Sequence, residues 1–310
     1  MNWISRAFWA SFTFLAAVAS NVYGNKDNTL SIVKILTPKF VEGYKSVMLL
    51  GANIECSMLY KCWTDLYNVK FKPHAGITST LRYATHSNGN RLSIKYLSEI
   101  GFSKKQRNTP INEVVNGFQC ATVGVKLAQL AIFELNSPDF LYIVNNDFDD
   151  TLLQNAGGTK AKVISHGSNE YSGYHKIYFS AALNKSNNYL RVLSALGFDN
   201  DFIKRSNVVE TAYQCLMRTS LRDIDCTEDV IFIYNDKFIA MAISEIFQNC
   251  TVSATDSLIL KKLPYDSVDK NRRSKAKDLF KANVTEFSVM DFTTFLKKLS
   301  NNNIVRSDEY

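Results

Sequence analysis

Phe140-Leu-Tyr-Ile-Val-Asn-Asn-Asp147 is an apolar run that ends in three polar residues. A short apolar run with polar flanks predicts a strand that is buried on both faces. Three further runs of this kind lie at 161–167, 176–183 and 229–236. Helical patterns lie between most of them, and strands that alternate with helices are typical of a parallel sheet covered on both faces. The sequence therefore predicts an α/β fold.

Polar residues are concentrated where the first three strands are predicted to end. They occupy positions 145–147, 165–169 and 180–184. The carboxyl ends of parallel strands meet at one edge of a sheet, and the functional groups of such folds lie just beyond that edge. We therefore expect these polar side chains to gather there.

The stretch Glu210-Thr-Ala-Tyr-Gln-Cys-Leu-Met-Arg-Thr-Ser-Leu-Arg-Asp223 carries the most distinctive charge pattern. If it is helical throughout, its spacing places Gln214, Arg218 and Arg222 on one face. Arginine keeps its charge and presents a planar fork of donors, so two arginines one turn apart suit a triphosphate. The alternative is an amphipathic surface helix whose arginines are solvated.

This stretch resembles motif six of the superfamily-one and superfamily-two helicases of the DEAD/DEAH-like kind. The usual pattern there is Gln-x-x-Gly-Arg-x-x-Arg. Here Met217 replaces the glycine, and the second arginine comes one residue late. The resemblance implies a RecA-like second motor domain in which Arg218 acts as arginine finger on the γ-phosphate. It also implies that Gln214 senses the nucleotide and that Arg222 supports one of these two residues.

The segment 165–184 is similar to motifs four-a and five in helicases of phage and mobile elements, which have a histidine-glycine turn before a Ser-Ala-Leu-Asn strand end. The resemblance implies that it contacts the nucleic-acid backbone through Ser165, His166, Asn169, Ser180 and the nearby Asn145. Gly167 is expected at the nucleotide, since glycine lets a backbone come close. The alternative is an ordinary polar loop.

A third segment, Tyr44-Lys-Ser-Val-Met-Leu-Leu-Gly-Ala-Asn53, predicts a strand at 46–50 that ends in a polar turn. It resembles motif three, which belongs to the first motor domain and couples hydrolysis to strand movement. The resemblance implies that Gly51, Ala52 and Asn53 contact the nucleotide. A strand followed by small residues is also common in other α/β proteins.

Two helicase motifs have no counterpart in the sequence. The phosphate-binding pattern Gly-x-x-x-x-Gly-Lys-Ser/Thr is absent, and Asn155-Ala-Gly-Gly-Thr-Lys160 has the wrong spacing for it. No Asp-Glu pair precedes the motif-three segment, and the acidic run 147–150 lies in the wrong domain for Mg²⁺. The resemblance therefore implies the carboxyl-terminal part of a helicase. ATP and Mg²⁺ would be bound only when a companion chain supplies the first motifs, and we predict no metal site in this chain.

The resemblance also predicts how the chain is organised. Residues 1–75 are expected to be a remnant of a first RecA-like motor domain, with one strand at 30–37, and residues 76–110 a linker or insertion. Residues 111–250 are expected to form the second motor domain, which opens with a long helix over 111–135. Residues 251–310 are expected to be a basic helical tail, with an amphipathic helix at 287–299.

The net charge of +7 at pH 7 favours a polyanionic partner, and we expect DNA. Part of the excess positive charge lies at 261–281, a segment with eight basic and three acidic residues. This patch fits phosphate contact or a solvated face. A non-enzymatic nucleic-acid-binding protein derived from a helicase is the alternative function.

The six cysteines form no Cys-x-x-Cys pair, which favours reduced thiols and a cytoplasmic location. The apolar stretch 7–20 has the outline of a signal peptide. With three Asn-x-Ser/Thr acceptor patterns, it leaves a secreted α/β protein as a further alternative. The stretch is shorter than the ~20 residues that span a bilayer, so no membrane anchor is predicted.

Overall fold

The computed structural model describes residues 12–19, 30–78, 80, 86–163 and 169–255, with side chains from residue 35 onward. These residues belong to two compact units. The larger unit contains residues 73–184 and 207–255, and the smaller contains residues 12–72 and 185–206. The predicted basic patch and the helix at 287–299 lie outside the described residues.

The larger unit is built on a six-stranded sheet in which every neighbouring pair is parallel. Its spatial order is β10-β3-β9-β8-β6-β7. The strands are β3 (Leu92–Tyr96), β6 (Leu141–Val144), β7 (Thr159–Lys160), β8 (Lys176–Ser180), β9 (Val230–Tyr234) and β10 (Thr251–Ala254). The predicted parallel strands at 140–146, 176–182 and 229–235 are confirmed, and with them the α/β fold.

Helices cover both faces of this sheet. On one face, α4 (Val123–Leu135) and α5 (Thr151–Asn155) pack on a core that includes Tyr142 and Tyr178. On the other, α8 (Glu210–Leu216) and α9 (Lys237–Ser244) pack on a core that includes Ile143, Ile177 and Phe179. Successive strand residues point to opposite faces, so each strand needs apolar residues at consecutive positions. The covering of both faces therefore explains the continuous apolar runs of the sequence.

Two strands of the sheet come from segments to which the sequence assigned no strand. β3 lies within the predicted linker and alternates between buried and half-buried residues, while β10 lies within the predicted tail. A strand was predicted at 161–165, but residues 161–163 do not form one. The pairing with β6 is instead made by Thr159 and Lys160, before that apolar run begins. Residues 164–168 lie outside the described part.

The long helix predicted over 111–135 is confirmed from residue 123 onward and is wrong for its first half, which is a hairpin. β4 (Pro110–Val115) and β5 (Phe118–Thr122) pair antiparallel. Asn116 and Gly117 join them with φ values of 48° and 77°. Positive φ at both central residues is what a tight hairpin turn requires, and Asn-Gly supplies it. The Thr122 side chain then accepts from the Val125 backbone N–H and caps α4.

The shorter helices and turns have the following bounds. The larger unit contains α2 (Ala75–Thr78), α3 (Lys104–Arg107) and the 3₁₀ turns Ser87–Arg91 and Ser220–Arg222. The smaller unit contains α1 (Met58–Lys61), the π turn Cys62–Leu66, α6 (Asn187–Ala195) and α7 (Asn200–Lys204). It also contains the 3₁₀ turns Pro38–Val41 and Ile54–Cys56, and a further π turn, Arg205–Val209, spans its boundary with the larger unit.

The smaller unit has a sheet of its own, formed by β1 (Phe12–Ala19) and β2 (Leu30–Leu36), which pair antiparallel. The Trp63 indole N–H donates to the Leu36 carbonyl at 2.7 Å and ties its helical part to β2. The strand at 30–37 is confirmed, whereas the strand predicted at 46–50 is wrong, since residues 46–51 have no regular structure. No helix in the described part of the chain is long and apolar enough to cross a bilayer.

Candidate functional site

The predicted stripe of Gln214, Arg218 and Arg222 is not formed, because α8 ends at Leu216. The Thr219 hydroxyl donates to the Leu216 carbonyl at 2.7 Å, and Thr219 itself is extended. A hydroxyl that bonds to a nearby carbonyl competes with the helical pattern. Gln214 remains on the helix, where its amide donates to Glu210 Oε1. The two arginines belong to residues 217–223, which we call the arginine turn.

The arginine turn buries its centre and leaves its two arginines nearer the surface. Thr219, Ser220 and Leu221 are at most 3% exposed. Arg218, just before them, is half-buried, and Arg222, just after them, is exposed. The buried residues therefore fix the backbone between the two arginines.

Two side chains from the 3₁₀ turn Ser87–Arg91 hold the arginine turn by its carbonyl groups. The Arg91 guanidinium donates through Nη2 to the carbonyls of Ser220 (3.3 Å) and Asp223 (2.9 Å). Its Nη1 donates to the Glu228 carbonyl at 2.8 Å. The Asn88 amide donates to the Leu221 carbonyl. The turn therefore has partners for backbone groups that a helix end leaves unsatisfied.

These contacts place the arginine turn at the amino edge of the sheet. Arg91 directly precedes β3, and His175 directly precedes β8. His175 Nδ1 lies 2.7 Å from the Ser220 hydroxyl, and Nε2 lies 3.3 Å from a carboxylate oxygen of Glu228. A helix that links two parallel strands returns from the carboxyl edge to the amino edge. The end of α8 thus lies away from Ser180, and the expectation that one edge gathers all these residues is wrong.

Ser220, His175 and Glu228 are the residue types of a hydrolytic triad. Ser220 is 3% exposed, and its backbone N–H is held by the Tyr174 carbonyl at 3.2 Å. A nucleophilic hydroxyl has to reach its substrate. We therefore assign these three groups to anchoring the arginine turn.

One predicted nucleic-acid contact does lie beside the arginine turn. Asn169 Oδ1 accepts a hydrogen bond from Arg222 Nη1 at 2.8 Å. The partner is the side-chain amide of Asn169, and the bond orients the guanidinium. Ser165, His166 and Gly167, predicted to bind nucleic acid or nucleotide in the same segment, lie outside the described residues.

Two other predicted nucleic-acid contacts, Asn145 and Ser180, lie at the carboxyl edge and are bonded within the protein. Asn145 Oδ1 accepts from the Ala182 backbone N–H at 2.8 Å, and its Nδ2 donates to the Ala182 carbonyl at 3.2 Å. The Ser180 hydroxyl is buried and accepts from Asn235 Nδ2 at 2.7 Å. Asn235 Oδ1 accepts from Tyr178, whose burial raises its pKa to about 12. These bonds join neighbouring strand ends.

The carboxyl edge also contains a buried arginine with a carboxylate partner. Arg107 is 2% exposed and donates to both oxygens of Asp147, at 2.8 and 3.3 Å, and to Asn145 at 3.2 Å. Lys104 contacts the same carboxylate at 2.7 Å. The hydrogen bonds from Arg107 and Lys104 hold the pKa of Asp147 well below its usual range. One carboxylate thus bridges two cations, and the buried arginine has a charged partner, which is typical of a structural network.

Gly51, Ala52 and Asn53 form a turn in the smaller unit. Asn53 has φ 52° and precedes the 3₁₀ turn Ile54–Cys56. The motif-three strand that the resemblance places before them is absent. They belong to a different compact unit from Arg218.

The described residues contain no group of three His, Cys, Asp or Glu side chains that could hold a metal ion. Comparisons with family models, with curated proteins and with solved structures find no match to this chain. Arg91 and Asn88 were not predicted as anchors, because they lie in a polar stretch interpreted as a linker.

Proposed function

We propose that the chain is the carboxyl-terminal portion of an ATP-dependent DNA helicase or translocase of phage or mobile-element type, with the larger unit as a RecA-like second motor domain. One observation carries the proposal. Arg218 and Arg222 flank the buried residues 219–221, in a turn whose carbonyls are held by Arg91 and Asn88. An arginine that stabilises phosphoryl transfer has to be positioned before the reaction, because catalysis there depends on positioning and charge.

The residues of the turn fit the phosphates of a nucleotide. Guanidinium groups match phosphate oxygens, and both arginines stay charged at any physiological pH. Arg218 acts on the γ-phosphate, and Arg222 supports it. Gln214, one helical turn before Arg218 in sequence, senses the nucleotide from the end of α8.

Mg²⁺ and the rest of the ATP site come from a companion chain that carries the first helicase motifs. The sequence lacks the phosphate loop and the acidic pair that these helicases use. When bound, the nucleotide supplies the phosphoryl group that is transferred to water. This chain contributes the positive charge that stabilises the transferring group.

A second candidate is a non-enzymatic nucleic-acid-binding protein. Lys104, Lys105 and Lys237 are exposed near the carboxyl ends of β3 and β9, and the net charge is +7. Such a surface binds phosphates without reading sequence. This function needs the basic surface but not the arginine turn.

A titration with inorganic tripolyphosphate separates the two functions. The chain is labelled with ¹⁵N in its arginine side chains, and the Arg218 and Arg222 signals are assigned from Arg218→Lys and Arg222→Lys. We expect both signals to shift in a saturable way. The double variant Arg218→Ala/Arg222→Ala loses this binding. The double variant Lys104→Ala/Lys105→Ala removes the same amount of positive charge, and we expect it to keep the tripolyphosphate binding.

If the two double variants weaken binding equally, attraction is set by overall charge and the arginine turn is not a phosphate site. Absence of any saturable shift at Arg218 and Arg222 rejects the proposal outright. If duplex or single-stranded DNA binds normally to the arginine double variant, the turn is separate from the DNA surface. That result is the one expected for an arginine finger.

A further inference from the structure

Arg91 combines deep burial with an unusual set of partners. It is 9% exposed and donates to three backbone carbonyls. Within the described residues, Arg91 forms no ion pair with a carboxylate. A buried cation needs compensation, and carbonyl dipoles supply it here. The partners Ser220 and Asp223 lie on either side of Arg222 in the chain.

We propose that Arg91 is the positioning residue of the arginine turn, which it holds in the conformation that binds phosphate. The inference rests on the proposed function of that turn. A planar fork can bond three carbonyls at once, whereas an ammonium group is a compact charge on a flexible stem. Arg91 therefore fixes the middle and the end of the arginine turn together with the later Glu228 carbonyl. Its own positive charge favours a phosphate nearby.

The segment that carries Arg91 is itself fixed. A Cβ at Gly89 would lie 2.2 Å from the Gln248 carbonyl oxygen and 2.9 Å from Phe247 Cβ. The Gln248 backbone N–H donates to the His86 carbonyl at 3.2 Å. Because only glycine permits this close approach, the 3₁₀ turn Ser87–Arg91 is pressed against the chain that follows α9. Arg91 thus connects the arginine turn to a segment whose own position is fixed by packing.

The test compares Arg91→Lys and Arg91→Gln with the natural chain in the tripolyphosphate titration. We expect binding at Arg218 and Arg222 to weaken about three- to tenfold in both variants, because the turn must then be ordered on binding. Amide exchange at 220–223 is expected to accelerate while the amides of β8 and β9 stay protected. Arg107→Gln is the matched control, since it removes a buried arginine at the opposite edge, and it keeps the binding.

Each outcome decides a separate point. If the natural chain shows no saturable shift, the proposed function fails and Arg91 has nothing to position. If the natural chain binds and Arg91→Lys binds equally well with a folded sheet, the positioning role of Arg91 is rejected. If Arg91→Gln unfolds the sheet, Arg91→Lys gives the decision. Equal loss in Arg107→Gln and the Arg91 variants also rejects the role, because general destabilisation then explains the effect.

Discussion

His175 Nδ1 lies 2.7 Å from the hydroxyl oxygen of Ser220, and the opposite ring nitrogen lies 3.3 Å from the Glu228 carboxylate. One imidazole thus links Ser220, in the arginine turn, and Glu228, which lies just before β9, to the start of β8. Arg91 bonds the backbone carbonyls of the same two residues. The segment from Ser220 to Glu228 is therefore held twice, once by Arg91 and once by His175.

The His175 link predicts a local effect of mutation. In His175→Ala, amide exchange at 221–223 should accelerate while the central amides of β8 and β9 remain protected, because Arg91 still holds that segment. The loss of two polar contacts should lower the free energy of unfolding by about 1 kcal/mol. Exchange followed by NMR or mass spectrometry measures both. Faster exchange throughout the sheet would contradict a local role, and His74→Ala, at an exposed position, is the control.

Asp147 predicts an acid-sensitive contribution to stability. Its pKa is lowered in the folded chain by Arg107 and then Lys104. A lowered pKa stabilises the fold above the unfolded value of about 4. That stability is lost as the pH falls through the folded pKa. Asp147→Asn should cost about 1 kcal/mol at pH 7, a value discounted for the 45% exposure of the side chain.

Denaturant unfolding at pH 7 and at pH 3 measures this effect. The difference in stability between the natural chain and Asp147→Asn should shrink at the lower pH. Asp139→Asn is the control, since that residue lies at an exposed position. A constant difference at both pH values would show that the carboxylate charge does not matter.

The proposed function predicts that the purified chain does not hydrolyse ATP, with or without DNA. The sequence lacks the phosphate loop and the acidic pair that activate the nucleotide. Once a companion chain with those motifs is added, Arg218→Ala should lower turnover by a factor of about 1,000 while DNA affinity is kept. Phosphate release measures turnover. Robust hydrolysis by the pure 310-residue chain would overturn the proposal.

DNA binding should weaken steeply with salt, because phosphate contacts release counterions. In a fluorescence titration, each lysine that contacts a phosphate contributes about one unit to the slope of log affinity against log salt. Lys104→Ala/Lys105→Ala/Lys237→Ala tests the carboxyl edge. A second variant replaces Lys270, Arg272, Arg273 and Lys275, which lie outside the described residues. Affinity that does not change with salt would exclude a phosphate-based DNA site.

The apolar runs predicted β6, β8 and β9 because strands covered on both faces need apolar residues at every position. Leu92-Ser-Ile-Lys-Tyr96 was missed, since its polar residues alternate with apolar ones inside a polar stretch. Lys95 can lie in the sheet because it pairs with Glu134 of α4. That partner is 39 residues away, and no local pattern indicates it.

The sequence predicted several residues of the candidate site, but it did not predict how they are arranged. Arg222 and Asn169 do lie together at one edge. Helical spacing alone could not show that Thr219 ends α8, since a threonine hydroxyl can bond inside or outside a helix. The anchors Arg91 and Asn88 precede the arginine turn by about 130 residues. Contacts at that separation depend on the strand order, which the sequence pattern leaves undetermined.

The position of β3 constrains how the chain folds during synthesis. β3 leaves the ribosome before its two sheet neighbours, β9 and β10, whose first residues follow its own by more than 100 positions. Pairings between distant segments form slowly. Until residue 234 has been made, the edges of β3 lack their native partner, and an unpaired edge invites aggregation. A chain stalled or truncated before β9 should therefore depend on chaperones far more than the complete one.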